Sequence, residues 1–375
     1  MTATTKTDND VCYMQTALTL ARRGLGSVWP NPAVGCVIVR EGKIVGRGWT
    51  QPGGRPHAET EALRRAGEAS RGATAYVTLE PCAHHAKTPP CAEALIDAGI
   101  SRCVIAAGDP DPRVDGGGIQ MLEAAGIEVF RGICEADAEA LNAGFLSKVR
   151  RQRPFVTLKA ATTVDGRIAT RDGDSQWITG PAARQYGHLL RATNDAILVG
   201  ANTAALDNPT LTCRLPGLLD RSPVRVVLDG HMRVPLTHNL VLGAGQTPTW
   251  LFAFAPNDAE GRERRKAYTD CGVTVFDVEQ DKNGRPRPED VLHRLAGEGI
   301  TRLLIEGGGV IAAAFLSQDL IDELVWFRGT SIIGGDGLPA IAAFGVDRLA
   351  DAPQATRISV EAMGADLIER YSLRR

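Results

Sequence analysis

Two successive runs of alternating strand and helix patterns make up this chain, and a short charged hinge separates them. In the first run, Val11, Met14, Leu18 and Ala21 recur at helical spacing. They predict a helix that Asn9 or Asp10 caps, that continues to about Arg23, and that Gly24 stops. Val34 to Val39 reads as an apolar strand, Glu41-Gly42 as a turn, and Lys43 to Trp49 as the antiparallel return. A helix follows from about His57 to Ala69, then a buried strand from Thr74 to Leu79 and a helix opened by Pro81, with Cys82 at its positive end. The segment from Cys91 to Ala98 is helical, Arg102 to Ala107 a strand, Gly117 to Ala125 a helix, Ile127 to Arg131 a strand, and Ala136 to about Arg150 the last helix of the run.

The hinge is Arg150-Arg151-Gln152-Arg153-Pro154, which puts the boundary between domains 1–149 and 150–375. Beyond it, strands are expected at Phe155–Ala161, Asp195–Gly200, Val224–Leu228, Thr249–Phe254, Val273–Phe276 and Thr301–Ile305. Helices are expected at Pro181–Thr193, Glu289–Glu298 and Val310–Leu316. Alternation of this kind implies α/β layers in both halves, with sheets covered by helices.

Composition narrows the picture only a little. The chain has 375 residues, more than one hydrophobic core usually serves, which agrees with two domains. A net charge of −2 argues against a general nucleic-acid binder. No stretch approaches the roughly 18 apolar residues of a membrane span, and Met1 to Asn9 lacks the apolar core of a signal peptide. Eight cysteines in a chain of this length read as a reduced, cytoplasmic protein. Cys12, Cys36, Cys103, Cys134, Cys213 and Cys271 are expected as small core residues rather than disulfide partners.

The candidate chemistry of the first half lies between His57 and Cys91. His57-Ala58-Glu59 followed by Pro81-Cys82 and a further cysteine has the form of a zinc-deaminase signature. Zinc takes imidazole and thiolate ligands in a tetrahedron, and a catalytic zinc keeps one position for water. His57, Cys82 and Cys91 would supply three ligands, leaving Glu59 to move a proton from water to the leaving amine. The cysteines lie farther apart than in P-C-x-x-C, and the insert carries His84 and His85, so spacing alone does not settle the ligand set. A closed four-ligand zinc knuckle is the bland alternative, and it leaves Glu59 without a role. The glycine- and proline-rich segment from Gly108 to Gly118 is either a set of turns or a wall of the substrate site.

In the second half, Glu306-Gly307-Gly308-Gly309 joins a strand to a helix, where bare backbone N–H groups can approach a phosphate. It is not the G-x-G-x-x-G fingerprint, and a plain tight turn explains it equally well. Arg191 and Arg214 are candidates for holding an anion. The sequence Ser175-Gln176-Trp177 is open between packing and function.

Taken together, the motifs resemble the bifunctional deaminase/reductase family of riboflavin biosynthesis over nearly the full length. The resemblance rests on Pro30-Asn31-Pro32-x-Val34-Gly35-Cys36, His57-Ala58-Glu59, and Thr78-Leu79-Glu80-Pro81-Cys82-x-His84-His85 continuing to Thr88-Pro89-Pro90-Cys91. Farther on it rests on Asp165-Gly166-Arg167, Ser175-Gln176-Trp177-Ile178-Thr179, Leu190-Arg191-Ala192 and Asp207-x-Pro209-x-Leu211-Thr212. One departure stands out: the family usually carries Gly-Arg where this chain has Ala86-Lys87.

The resemblance implies a cytidine-deaminase-like α/β/α domain followed by a dihydrofolate-reductase-like domain. It implies deamination of 2,5-diamino-6-(5-phosphoribosylamino)pyrimidin-4-one, then NADPH-dependent reduction of the ribosyl unit to ribityl. His57, Cys82 and Cys91 match the zinc ligands and Glu59 the proton shuttle, while Asn31 and His84 would line the deaminase pocket. Ser175, Arg191, Leu211, Arg214 and Glu306 match substrate contacts of the reductase, with the two arginines on the 5-phosphate. Ala161, Trp177, Thr203, Asp207 and the loop Gly308-Gly309-Val310 match the NADPH site. A homodimer or larger assembly is implied, with a small phosphorylated pyrimidine as the partner and neither nucleic acid nor membrane. The preference for NADPH over NADH comes from the resemblance alone, since no residue stands out in the sequence as a grip for a 2′-phosphate. A monofunctional deaminase with a non-catalytic nucleotide-binding second half is the competing reading.

Overall fold

The charged hinge ends where the chain divides: the computed structural model separates into two units, Met1–Arg153 and Pro154–Arg375. It describes residues 3–85 and 89–373, so Ala86-Lys87, the departure noted above, lies outside the described residues.

In the first unit, β1 (Gly35–Arg40), β2 (Lys43–Trp49), β3 (Thr74–Leu79), β4 (Arg102–Ala107) and β5 (Glu128–Arg131) form one sheet in the order β2-β1-β3-β4-β5. β1 runs antiparallel to β2 and β3, and β3, β4 and β5 are parallel. Every residue of β4 is buried, as a parallel strand covered on both faces requires. The helices α1 (Ala3–Ala21) and α2 (Ala58–Ala66) cover opposite faces. A Cβ on Gly35 would meet the Ala17 backbone of α1, and one on Gly48, across the pleat, would lie 2.0 Å from the Ala58 carbonyl of α2. Only glycine lets α2 rest that closely on β2. Next to α2 packs α3 (Cys91–Asp97), against α3 packs α4 (Gly117–Ala124), and next to α1 packs α5 (Glu135–Leu141), completing three layers.

Three sequence expectations need correction here. Asp10 does not cap α1: it sits within the helix, buried, and receives the forked Arg102 guanidinium at 2.9 and 2.7 Å and the Tyr76 hydroxyl at 2.7 Å. A buried arginine needs such a partner, and that demand uses the carboxylate. The single helix expected from Ala136 to Arg150 is two, α5 and α6 (Ala143–Arg151). Asn142 breaks it at φ −92° and ψ 16° because its side-chain amide pairs both ways with the Ala33 backbone, at 2.9 and 3.1 Å. The cysteines also divide: Cys36, Cys103 and Cys213 are core residues as expected, whereas Cys12 and Cys271 are exposed and Cys134 is half-buried.

The second unit is built on a nine-stranded sheet. Its strands are β6 (Phe155–Thr162), β8 (Ala196–Gly200), β9 (Val224–Leu228), β10 (Thr249–Ala253), β11 (Thr274–Asp277), β12 (Arg302–Ile305), β13 (Glu323–Arg328), β15 (Thr356–Met363) and β16 (Asp366–Ser372). A two-residue β14 (Leu338–Pro339) pairs separately with β7 (Arg167–Ala169). The spatial order is β11-β10-β9-β8-β12-β6-β13-β16-β15, parallel from β11 through β13 and closed by the antiparallel β16 and β15. The helices are α7 (Pro181–Thr193), α8 (Ala201–Asp207), α9 (Asn239–Leu242), α10 (Ala259–Asp270), α11 (Pro288–Gly297) and α12 (Gly309–Leu316). At the start of the central strands, the buried Asp195 accepts hydrogen bonds from Thr301 and from the Arg302 amide, tying β8 to β12.

Candidate active sites

In the first unit the cluster forms where α2 and α3 begin. His57 has extended backbone as the N-cap residue of α2, and Glu59 lies in its first turn with 3% of its surface exposed. The chain enters along Gly53-Gly54, where Gly54 has φ +84° and the Asn31 side chain lies against its backbone. This puts Asn31 beside the segment that delivers His57. The helix expected at Pro81 is absent, and α3 instead starts at Cys91 after Pro90. Cys82 therefore lies in irregular chain, yet still faces the positive end of a helix, because the Cys91 amide donates to its sulfur at 3.3 Å.

Imidazole Nδ1 of His57 stands 3.3 Å from the Cys91 sulfur and 3.7 Å from the Cys82 sulfur. All three ligand atoms lie within 4.8 Å of one another. One imidazole and two thiols converging this way form a donor set suited to zinc. Hydrogen bonding from Cys91 and from His57 holds the Cys82 thiol down at about 4, against the effect of burial. Proton sharing with Cys82, then burial, pushes Cys91 well up, and the Cys82 hydrogen bond raises His57. Burial pushes Glu59 up to about 6 although the nearby His57 opposes it. His84 stands outside the cluster. Its Nδ1 is buried without a hydrogen-bond partner among the described residues, an open polar atom two residues from Cys82.

The 108–118 segment packs beside this cluster. Glu80, 4% exposed, accepts from the amides of Gly118 (3.1 Å), Gly116 (3.2 Å), Ile119 (3.3 Å) and Asp109 (3.5 Å). Burial pushes the Asp109 carboxyl up to about 6. The sequence carries one signal for this role of Glu80, a charge wedged between a buried strand and Pro81-Cys82.

In the second unit an open cleft of about 1060 Å³ runs along the carboxyl ends of the parallel strands. Ligands of α/β sheets bind there as a rule. Among the sequence candidates, Ala161, Ser175, Trp177, Arg191, Thr203, Asp207, Arg214, Glu306, Gly308, Gly309 and Val310 line it. Leu211 does not: it is 3% exposed, in the core behind the wall, with φ +53°. Arg191 is already engaged, donating to Glu306 through Nε at 2.7 Å and Nη2 at 2.9 Å and to the Thr212 carbonyl at 3.1 Å. Burial would raise Glu306, but Arg191 and Lys159 outweigh it and hold the carboxyl at about 2. Lys159, not among the sequence candidates, lies 3.9 Å from Glu306, and its signal is a lysine inside the apolar Phe155–Thr162 run. Trp177 is 67% exposed at the cleft wall, with the Arg184 guanidinium 4.4 Å from its ring centroid.

The glycine loop leaves β12 pressed against β8. A Cβ on Gly307 would lie 2.8 Å from the Val199 Cα, and Gly308 turns at φ +58° into α12. Bare amides at the start of an eight-residue helix suit a pyrophosphate, so the cleft fits a dinucleotide.

Comparison with known proteins agrees with both halves. Residues 7–107 match the family described as the cytidine and deoxycytidylate deaminase zinc-binding region, and residues 154–368 match the RibD C-terminal domain. The chain is 45% identical over 356 residues to riboflavin biosynthesis protein RibD of Bacillus amyloliquefaciens, covering 95% of this chain and 94% of that one. It is 41% identical over 369 residues to the protein of the same name from Escherichia coli K12, covering 96% and 98%. Among solved structures, Acinetobacter baumannii RibD superposes with a TM-score of 0.86 at 38% identity, covering 98% and 99%. A Thermotoga maritima diaminohydroxyphosphoribosylaminopyrimidine deaminase/5-amino-6-(5-phosphoribosylamino)uracil reductase gives 0.85 at 34% identity with the same coverage. The cytidine-deaminase-like α/β/α fold of the first unit and the dihydrofolate-reductase-like fold of the second are as the resemblance implied.

Proposed function

The chain belongs to the RibD family of riboflavin biosynthesis, and from that premise we propose how its residues divide the work. The protein is a bifunctional enzyme, a zinc-dependent deaminase and an NADPH-dependent reductase. The first reaction replaces the 2-amino group of 2,5-diamino-6-(5-phosphoribosylamino)pyrimidin-4-one by oxygen and releases ammonia. The second reduces the ribosyl side chain to ribityl, giving 5-amino-6-(5-phosphoribitylamino)uracil. The match of residues 154–368 to the RibD C-terminal domain disfavours a monofunctional deaminase.

His57, Cys82 and Cys91 hold the zinc, which when bound supplies the Lewis acid that makes water a nucleophile at neutral pH. Glu59, closed off from solvent, takes the proton of the attacking water and returns it to the departing amine. Asn31, His84 and the 108–118 loop line the pyrimidine pocket. In the second unit Ala161, Trp177, Thr203, Asp207 and Gly308-Gly309-Val310 hold NADPH, which when bound supplies the hydride. Ser175, Arg191, Leu211, Arg214 and Glu306 hold the substrate. Arg191 offers only the edge that Glu306 leaves open, so the exposed Arg214 is the main grip on the 5-phosphate, and Leu211 contributes through its backbone. Positioning of sugar against cofactor carries the reduction.

The observation that carries this reading is the convergence of His57, Cys82 and Cys91 beside the buried Glu59. Its test is a coupled assay on zinc-loaded full-length protein. Ammonia release and NADPH oxidation should match mole for mole, the second depending on the first. A flat NADPH signal with the deaminated intermediate supplied would contradict it. Among the described residues no helix is long and apolar enough to cross a membrane. The enzyme works in the cytoplasm as a homodimer or larger assembly, and sedimentation of a lone monomer at micromolar concentration would refute that assembly.

A further inference from the structure

NADPH and NADH differ only by a phosphate on the adenosine 2′-oxygen, and the inference here rests on reading the second unit as an NADPH-dependent reductase. The carboxyl ends of β6, β12, β8, β9 and β10 meet the cleft in spatial order through Ala161, Glu306, Gly200, Leu228 with Gly230, and Phe254. Neighbouring strands lie about 4.8 Å apart, so this row spans about 19 Å. Arg191 and Glu306 lie beside Lys159 of β6, Ile178 next to Trp177 packs on Gly329 just past β13, and the glycine loop opens from β12 in the middle. A dinucleotide with its nicotinamide at β6 and its pyrophosphate on that loop places its adenosine over β9 and β10.

Three basic side chains border this far end: His231 and Arg233 in the turn after β9, and Arg285 in the loop before α11. Two acids lie near them, and each is committed to its own turn. Asp229 is 1% exposed and accepts the amides of Arg233 and Val234 through Oδ2. Asp281 accepts the amides of Asn283 and Arg285 at 2.8 and 2.9 Å. In dinucleotide sites an available acid reads a ribose 2′-hydroxyl, whereas an arginine accommodates a 2′-phosphate. Here the acid at the end of β9 is turned inward. Four residues on, the Arg233 side chain is 60% exposed and lines the cleft, with its Nε 3.6 Å from Asp229 Oδ1. Phe254 packs edge-on to His231, ring centroids 5.1 Å apart, and borders the same end.

We propose that Arg233 and Arg285, with His231 beside them, bind the 2′-phosphate of NADPH and set the preference over NADH. The test is a binding titration of the full chain with NADPH, NADH, 2′,5′-ADP and 5′-AMP, wild type against Arg233→Gln/Arg285→Gln. Wild type should bind 2′,5′-ADP more tightly than 5′-AMP. The double variant should lose at least about tenfold in the NADPH-to-NADH affinity ratio, about 1.4 kcal/mol. Its NADPH affinity should also depend less on salt. Arg233→Lys/Arg285→Lys, which keeps both charges, should retain most of the ratio. An unchanged ratio in a glutamine variant that still binds NADPH overturns the assignment, as does a wild type that binds NADPH and NADH alike. A wild type that binds neither NADPH nor 2′,5′-ADP removes the reductase reading itself.

Discussion

Replacing Glu80 by glutamine tests whether one buried carboxylate holds the wall of the deaminase pocket. Its Oε1 accepts from Gly118 and Ile119, in the first turn of α4, and its Oε2 accepts from Gly116 and Asp109. The carboxylate therefore also complements the positive end of that helix. Glutamine keeps one acceptor oxygen and turns an NH₂ group toward two of the four amides. Each buried amide left without an acceptor costs about 1–3 kcal/mol, and with Gly116 and the weakly held Asp109 as the two that face the NH₂, the second near the bottom of that range, the change should cost about 2–4 kcal/mol in all. The contact with Asp109, at 3.5 Å, is the longest and contributes least. For a domain of this size the loss corresponds to about 4–16 °C in melting temperature. Calorimetry with and without NADPH identifies the transition, because NADPH raises only the reductase unit and the unshifted one is the deaminase. The KM for deamination should rise while zinc content stays at one per chain. A deaminase transition within about 0.5 kcal/mol of wild type, the size of an ordinary surface substitution, with unchanged KM, would refute the role assigned to Glu80.

Three further outcomes follow from the same geometry. Glu306 is held at about 2, below its ordinary 4.5, so its stabilising effect is complete above about 4.5 and is lost as pH falls toward 2. Glu306→Gln should flatten that acid limb of the NADPH-responsive transition, and an unaltered limb would contradict the ion pair. Gly307→Ala puts a methyl group 2.8 Å from the Val199 Cα and should cost about 1–3 kcal/mol with weaker NADPH binding; a titration matching wild type would disprove the close fit. Stripping zinc with a chelator should abolish ammonia release and lower the deaminase transition while NADPH oxidation with the deaminated intermediate persists. Loss of both activities together would mean that the metal serves more than the first unit.

Much of this was legible in the sequence because buried parallel strands read as continuous apolar runs. Thr74–Leu79, Arg102–Ala107 and Val224–Leu228 fall where the pattern puts them. The misses have physical causes. The helix α10 (Ala259–Asp270) is almost wholly polar and buries only Tyr268, so no stripe marks it. The strand β15 forms the sheet edge with β16 beside it, and ion pairs such as Arg370–Glu323 and Arg328–Glu369 run across β13 and β16. Such pairs depend on register, which a linear reading does not contain. Pro81-Cys82 and Pro90-Cys91 both look like a helix start, and only the fold shows that the first is not one. At the deaminase site imidazole and thiol stand out in the sequence as uncommon donors, and the structure brings His57, the imidazole named from the sequence, together with Cys82 and Cys91. The commitment of Arg191 to Glu306 joins residues far apart in sequence and left no local trace.

The central claim is that two independent active sites share one chain, with Glu59 essential to the first alone. The most direct measurement assays zinc-loaded Glu59→Gln protein for both reactions side by side. Ammonia release should fall by at least about 100-fold, as loss of a positioned proton shuttle requires, while NADPH oxidation with the deaminated intermediate stays at the wild-type rate. Ammonia release at the wild-type rate in the variant would contradict the account.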